Sequence, residues 1–283
     1  MCVTVSCVVL IAVGVTGVTQ LHDVVYIVCC VSSTILRFNA TTHERLTDID
    51  VKDLREPWDI VACEQTSRLY VADYRQKCVW QGSADGTGVM LWLVKSSSHT
   101  LKPDTFRPYK LSVTSTRLLV TSIDTKQLIQ LDSVGDQLRC VQLPDHMKPF
   151  HAVESQTTTF IVSHENKQLK QINTNQNQYQ ISEVNADGQV LRQFTGSHLL
   201  PLGSSQHVAV DSHGNVFVAD FDNRRVYLLD AQLKLRRVII DEHQLNYKQP
   251  WRLCYSEPTG QLFVGLYTKK SVKSVAVFDV LRR

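Results

Sequence analysis

Five ionisable residues return at one place in a repeating phrase of this 283-residue chain. Asp59, Lys110, His151 and Arg252 each stand two residues after a proline that opens a short alternating stretch: Pro57-Trp58-Asp59-Ile60, Pro108-Tyr109-Lys110-Leu111, Pro149-Phe150-His151-Ala152 and Pro250-Trp251-Arg252-Leu253. His207 holds the same register in Ser205-Gln206-His207-Val208, and Gly17 is its counterpart in the first repeat. His151, His207 and Asp59 are acceptable ligands for zinc or a similar divalent metal, which would support a metal-dependent hydrolase or lyase. Lys110 and Arg252 in the same register repel a cation and favour an anion. The residue before is aromatic in four repeats (Trp58, Tyr109, Phe150, Trp251), able to stack on bases, fill a partner's pocket or wedge between repeats as core. Other chemistries lack their motifs. There is no G-x-S-x-G elbow, no G-x-x-x-x-G-K phosphate loop and no EF-hand loop, and the eight cysteines include no C-x-x-C pair.

These residues sit in a repeated frame. Val25-Tyr26-Ile27-Val28, Leu69-Tyr70-Val71-Ala72-Asp73, Leu118-Leu119-Val120-Thr121-Ser122, Phe160-Ile161-Val162-Ser163-His164, Val216-Phe217-Val218-Ala219-Asp220 and Leu262-Phe263-Val264-Gly265-Leu266 are variants of one strand, spaced by 44, 49, 42, 56 and 46 residues. Periods of about 40–50 residues built from short strands signal a β-propeller. The phrase with the ionisable residue is strand one and the Val-rich phrase is strand two. A third strand follows (Thr34 to Phe38, Cys78 to Gln81, Gln127 to Leu131, Gln180 to Val184, Arg225 to Leu229, Val275 to Asp279). A more polar fourth closes each repeat but the last (Arg45 to Val51, Val89 to Val94, Gln137 to Leu143, Gln189 to Phe194, Leu235 to Ile240). A four-stranded sheet of this size cannot bury both its faces alone, whereas radial packing covers each face with a neighbour and closure protects the edges. The sixth repeat runs out at Arg283 before a fourth strand. Residues 2–12 are surplus to the first repeat, which starts at Val15, and are expected to supply that strand. The other reading of residues 1–21, which carry no charge, is a leader or membrane anchor.

The expected fold is therefore all-β: one six-bladed propeller of four-stranded antiparallel blades over residues 1–283, closed by its two chain ends. Strand one is innermost, so the ionisable residues should ring one mouth of the central channel. The ends of strand two (Asp73, Ser122, His164, Asp220) should face the same rim. A formal net charge of +3 is too small to demand nucleic acid or an anionic membrane. The nearest thing to a basic patch is Arg224, Arg225, Arg236, Arg237, Lys269 and Lys270, and strand alternation splits the arginine pairs between faces. The Asn173–Gln178 tract reads as a surface loop. Cysteines within strand patterns read as reduced, buried thiols of a cytoplasmic protein; secretion or membrane anchoring is the alternative, with Asn39-Ala40-Thr41 as a sequon.

The fifth repeat, Val208-Ala209-Val210-Asp211-Ser212-His213-Gly214-Asn215-Val216-Phe217-Val218-Ala219-Asp220-Phe221-Asp222-Asn223-Arg224-Arg225-Val226, resembles the NHL repeat. Leu69 to Asp73 echoes it, while Ser122, His164 and Leu266 replace the Asp elsewhere. The resemblance implies a six-bladed propeller of the kind that binds proteins or RNA, often as the C-terminal domain of TRIM-type ubiquitin ligases. The RING, B-box and coiled coil of those ligases are absent from this chain, so ligase activity does not carry over; the resemblance implies at most a recognition component acting with others, linked to ubiquitin ligation, or a free-standing relative. Asp211 and Asp220 read as acceptors for turn N–H groups, Gly214 as a positive-φ hairpin residue and Arg225 as the partner of an acidic neighbour between blades.

The resulting expectation is a non-catalytic recognition scaffold for a macromolecular partner, most simply a protein. Its contact surface would be Asp59, Lys110, His151, His207 and Arg252 with Asp73, Tyr74, His164, Phe221 and Asn223. The alternatives are a metal-dependent hydrolase or lyase at the channel mouth, using His151, His207 and Asp59, and an RNA-binding propeller. No DNA, no further cofactor and no membrane are expected unless residues 1–21 are a leader or anchor.

Overall fold

The computed structural model describes residues 2–11, 14–94, 107–171, 178–197, 200–267 and 274–281. Lys269, Lys270 and most of the Asn173–Gln178 tract lie outside the described residues.

Six four-stranded antiparallel sheets follow the sequence repeats one for one. Their innermost strands are Val15–Leu21, Pro57–Cys63, Lys110–Thr114, Met147–Glu154, Ser205–Val210 and Gln249–Ser256, in blades one to six. The strand Cys2–Ile11 pairs antiparallel with Ser274–Leu281 and completes blade six, so the two chain ends meet in one sheet as expected. Two elements differ from the sequence reading, one of them a short helix, Lys167–Gln171, after strand two of blade four. The fourth strand of blade one, expected over Arg45 to Val51, is only Ile49–Asp50 plus a bridge between Phe38 and Arg45. The residues between turn on themselves, with Arg45 paired to Asp48 at 2.6 Å. Among the described residues, no helix is long and apolar enough to cross a membrane.

The core is divided among the gaps between blades, because alternation puts one side of each strand against each neighbour. Six clusters of buried apolar residues fill six gaps. The gap that closes the circle packs Val15, Val18, Ile27 and Phe38 of blade one on Phe263, Val275 and Val277 of blade six. Each such side chain, fully buried, contributes about 1.5–3 kcal/mol.

The repeat residues are structural fasteners. Asp211 accepts the N–H groups of His213 (2.9 Å) and Asn215 (2.8 Å) in a hairpin whose Gly214 has φ +77°. Asp220 accepts from Gly203 N–H (3.1 Å) and from Arg225 Nε (2.9 Å), pinning the crossover that enters blade five. Arg225 thus pairs within its own blade, since Asp220 and Arg225 are opposite each other on neighbouring strands; the pairing expected between blades is not what forms.

Candidate functional site

The strand register explains how the ring is assembled. In blades one, two, four, five and six the inner strand carries a bulge at one place: between Val15 and Gly17, Pro57 and Asp59, Pro149 and His151, Ser205 and His207, Pro250 and Arg252. A bulge inserts one unpaired residue and re-aims its neighbours. The extra residue is the aromatic one in three of these blades, and the ionisable residue after it is brought to the channel. Gly17 holds that position in blade one, where a Cβ would lie 2.6 Å from Ile60 N and 2.9 Å from Asp59 Cα. Glycine there lets blades one and two approach.

The ring residues are buried. Asp59 is 2% exposed, Lys110 1%, His151 1%, His207 7% and Arg252 1%. Each inner strand is the edge of its sheet, so its free N–H and C=O groups face the channel and need partners where water is excluded. The ring side chains, with Thr16, supply them from blade to blade. Thr16 Oγ1 donates to Pro57 O at 2.6 Å, from blade one to two. Leu111 N–H of blade three donates to Asp59 Oδ2 at 3.0 Å. His151 Nε2 of blade four donates to Leu111 O at 3.1 Å, and its Nδ1 accepts from Val208 N–H of blade five at 3.3 Å. His207 Nδ1 accepts from Leu253 N–H of blade six at 3.4 Å. Arg252 Nε donates to Thr16 O of blade one and closes the circle.

Two cations seal one end. Arg252 Nη2 reaches Trp58 O at 3.3 Å, and Lys110 Nζ reaches the same oxygen at 3.0 Å. Arg252 Nε also lies 3.9 Å from Asp59 Oδ1. Burial is the largest influence on Asp59, Arg252, His151 and His207. It pushes the Asp59 carboxyl up against the opposing pull of Arg252, and it lowers the Arg252 guanidinium. Burial lowers both imidazoles too, His207 well below its ordinary value with His151 beside it adding to the shift. The rings of His151 and His207 stack with centroids 3.6 Å apart, as two neutral rings can.

Donor atoms of Asp59, His151 and His207 lie within 4.8 Å of one another, so the sequence-level metal trio does converge. Its chemistry does not fit a metal. A neutral imidazole has one lone pair, and a backbone N–H can only donate. Val208 N–H therefore takes the lone pair of His151, and Leu253 N–H takes that of His207. Both Asp59 oxygens already accept, from Ile60 and Leu111 N–H groups. An ion bound by both imidazoles would have to break their ties to Val208 and Leu253 in the next blades.

The remaining predicted residues lie at the sealed end. Asp73 is buried and accepts from Arg55 N–H (2.8 Å), Glu56 N–H (3.3 Å) and Gln76 N–H (3.0 Å). His164 is buried against Ser182 Oγ at 2.8 Å, and burial lowers its pKa to about 4. Asn223 is exposed and donates to Asp220 and to Pro201 O. Tyr74 and Phe221 are partly exposed among other aromatics.

Beyond the ring, towards the hairpins joining strands one and two, the channel opens into a cavity of about 500 Å³. The residues two further along, Thr19, Val61, Ser112, Val153, Ala209 and Cys254, are all small and leave this space. The one-dimensional reading missed the cavity, although their small size was visible in the same alignment.

No protein-family model matches the chain. No curated protein matches it either. Solved structures do. A luciferin-regenerating enzyme aligns at 14% identity over 98% of this chain and 96% of its own, with a TM-score of 0.66. A catalytically inactive virginiamycin B lyase from Staphylococcus aureus with quinupristin aligns at 10% identity over 95% and 82%, TM-score 0.64. A nidogen/laminin complex aligns at 15% identity over 82% of each chain, TM-score 0.59. These similarities show the six-bladed fold, which serves enzymes and binding proteins alike.

Proposed function

We propose that the chain is a non-catalytic recognition propeller that binds a protein partner through the face where the inner strands begin. The observation that carries this is the pair of aromatic clusters around the sealed channel end. Trp58, Tyr74 and Tyr109 meet with centroids 5.3–6.2 Å apart. Phe221, Trp251 and Tyr267 meet at 5.4–6.0 Å. All six are partly exposed, and the Arg107 guanidinium sits 5.5 Å from the Tyr74 ring centre. Aromatic and Arg side chains on a rigid base are the composition of interface anchors. Tyr74, Phe221 and Asn223 would meet the partner. Asp59, Lys110, His151, His207, Arg252, Asp73 and His164 would set the shape of the face from beneath.

The matching chain comes from a nidogen/laminin complex, which supports protein binding as a use of such a propeller. The NHL-like fifth repeat supports the narrower role of a recognition component linked to ubiquitin ligation. The free thiols of Cys63 and Cys78 fit the cytoplasmic setting of that role. RNA is less well served: Arg225 is tied to Asp220 and Arg252 is buried.

Capture from a cell extract on immobilised protein, read by mass spectrometry, tests the reading. Proteins retained by the wild type should be lost from Tyr74→Ala and Phe221→Ala, each weakening binding by about 2 kcal/mol if it is an anchor. A Thr116→Ala change on the opposite face should retain them. Equal retention by all variants, or recovery of RNA with steep salt dependence, would count against a protein-binding aromatic face.

A further inference from the structure

The cavity beyond the ring opens on the face opposite the aromatic clusters. Its volume of about 500 Å³ lies within the range of small-molecule pockets, roughly 300–1,000 Å³. Contacts between neighbouring blades hold its wall. Cys63 Sγ meets Ser115 O at 3.2 Å, Gln156 Nε2 donates to Ser212 O, and Ser212 N–H donates to Glu257.

Three observations specify what this space suits. The first is an unused donor at the floor. Leu253 N–H occupies Nδ1 of His207, so the proton of this neutral ring is on Nε2. His207 is 7% exposed and lines the cavity, and its Nε2 has no protein partner among the described residues. Ser112 lines the cavity from blade three, and its Oγ is buried without a hydrogen-bond partner among the described residues. A buried polar group left unpaired keeps the cost of its lost hydration, which an acceptor brought in by a ligand relieves. The second is the wall beyond the floor, where Val61, Val113, Val153, Ala209 and Val210 give an apolar surface. The third is the sign of the charges. Asp59, Glu64, Glu154 and Asp211 belong to the lining and no Lys or Arg does. Arg252 beside Asp59 and Arg117 beside Glu154 both stand outside it. A carboxylate or phosphate would therefore enter against like charge. An ammonium group has no lone pair to offer the histidine donor.

We propose that this cavity binds a small uncharged molecule with a compact apolar body and a carbonyl oxygen. The oxygen accepts from His207 Nε2–H at the floor, and the body lies against the valines. Camphor, a globular hydrocarbon frame with one ketone, is a suitable probe. Its exocyclic methylene analogue keeps the shape and has no acceptor. Ketopinic acid, as its carboxylate, adds a negative charge to the same frame and keeps the ketone.

Titration of the full chain by ligand-observed NMR tests the site. Camphor should bind saturably, and the methylene analogue about fivefold more weakly, as the loss of one hydrogen bond requires. Ketopinate should also bind more weakly than camphor. Ala209→Phe, which fills the cavity from blade five, should abolish camphor binding. Thr19→Phe fills it from blade one and serves in its place if melting curves show that the first variant does not fold. The comparison of the three probes on wild-type protein needs no variant. Absence of saturable camphor binding, equal affinity for camphor and its methylene analogue, tighter binding of ketopinate, or binding unaffected by a folded filling variant would each overturn the proposal. None of these results bears on the aromatic face.

Discussion

Arg252→Met is the most direct challenge to the girdle of side chains around the channel. Methionine keeps an unbranched stem and removes every donor. The change strips the side-chain donor from Thr16 O and removes the only cation within 4 Å of Asp59 among the described residues. Trp58 O keeps Lys110. Burial already outweighs Arg252 at the Asp59 carboxyl, so the pair itself is worth little against an apolar replacement. Breaking it from one side is different, because a carboxylate is left alone in a dry site, at a cost of about 3–5 kcal/mol. For a chain of this size that lowers Tm by on the order of 10 °C. The double variant Arg252→Met/Asp59→Asn should be more stable than Arg252→Met alone. The carboxamide carries no charge, and its oxygen still accepts from Leu111 N–H. A recovery of about 1–3 kcal/mol is the expected coupling between touching residues. Urea denaturation followed by circular dichroism reads all three proteins. If Arg252→Met lies within 1 kcal/mol of wild type, or the second substitution adds to the first, the girdle does not hold the ring as argued.

Three further outcomes follow from the same geometry. Gly17→Ala should destabilise by about 1–3 kcal/mol in urea, because its Cβ meets backbone of blade two that cannot turn aside. Stability should fall as pH drops from about 6.5 towards 4: His151, His164 and His207 are held neutral in the fold, so the unfolded chain binds more protons there. Asp59, shifted upward, softens this fall, and His164→Gln should remove about 1.4 kcal/mol per pH unit of it, seen in melting curves across that range. EDTA should leave Tm unchanged and one equivalent of zinc should not raise it; a rise would show that the imidazole lone pairs are free after all.

The architecture was legible because a repeat gives one inference six independent chances. The hydrophobic phrase from Tyr26 to Phe263 sits on strand two in every blade, and the surplus N-terminal residues become the closing strand. The ring register, including Gly17, also follows from alignment alone. Its environment does not. Alternation tells which way Asp59 and Arg252 turn, yet gives no channel radius, and the radius decides whether such a group is wet or buried. The bulge before the ring position in five of the six blades is likewise invisible to a period-two pattern. The fourth strand of blade one is shorter than the sequence implies because polarity alone does not separate an outer strand from the Arg45–Asp48 turn.

A sixfold backbone frame with unlike residues at its centre has a physical rationale in these contacts. Each inner edge presents a different mix of N–H and C=O groups to its neighbour. Asp59 meets a donor, Thr16 and Arg252 meet acceptors, and His151 meets one of each. This makes His151 a discriminating position. A carboxamide can accept from Val208 N–H and donate to Leu111 O, whereas leucine can do neither although it suits a buried site. His151→Asn should therefore cost about 1 kcal/mol, and His151→Leu on the order of 3 kcal/mol, since two buried backbone groups lose their partners. A ligand or catalytic role would make the two substitutions equally damaging to activity and would not order their stabilities. Equal stability of the two variants in chemical denaturation would remove the structural assignment of this histidine, and with it the reason offered here for ionisable residues at the centre of the ring.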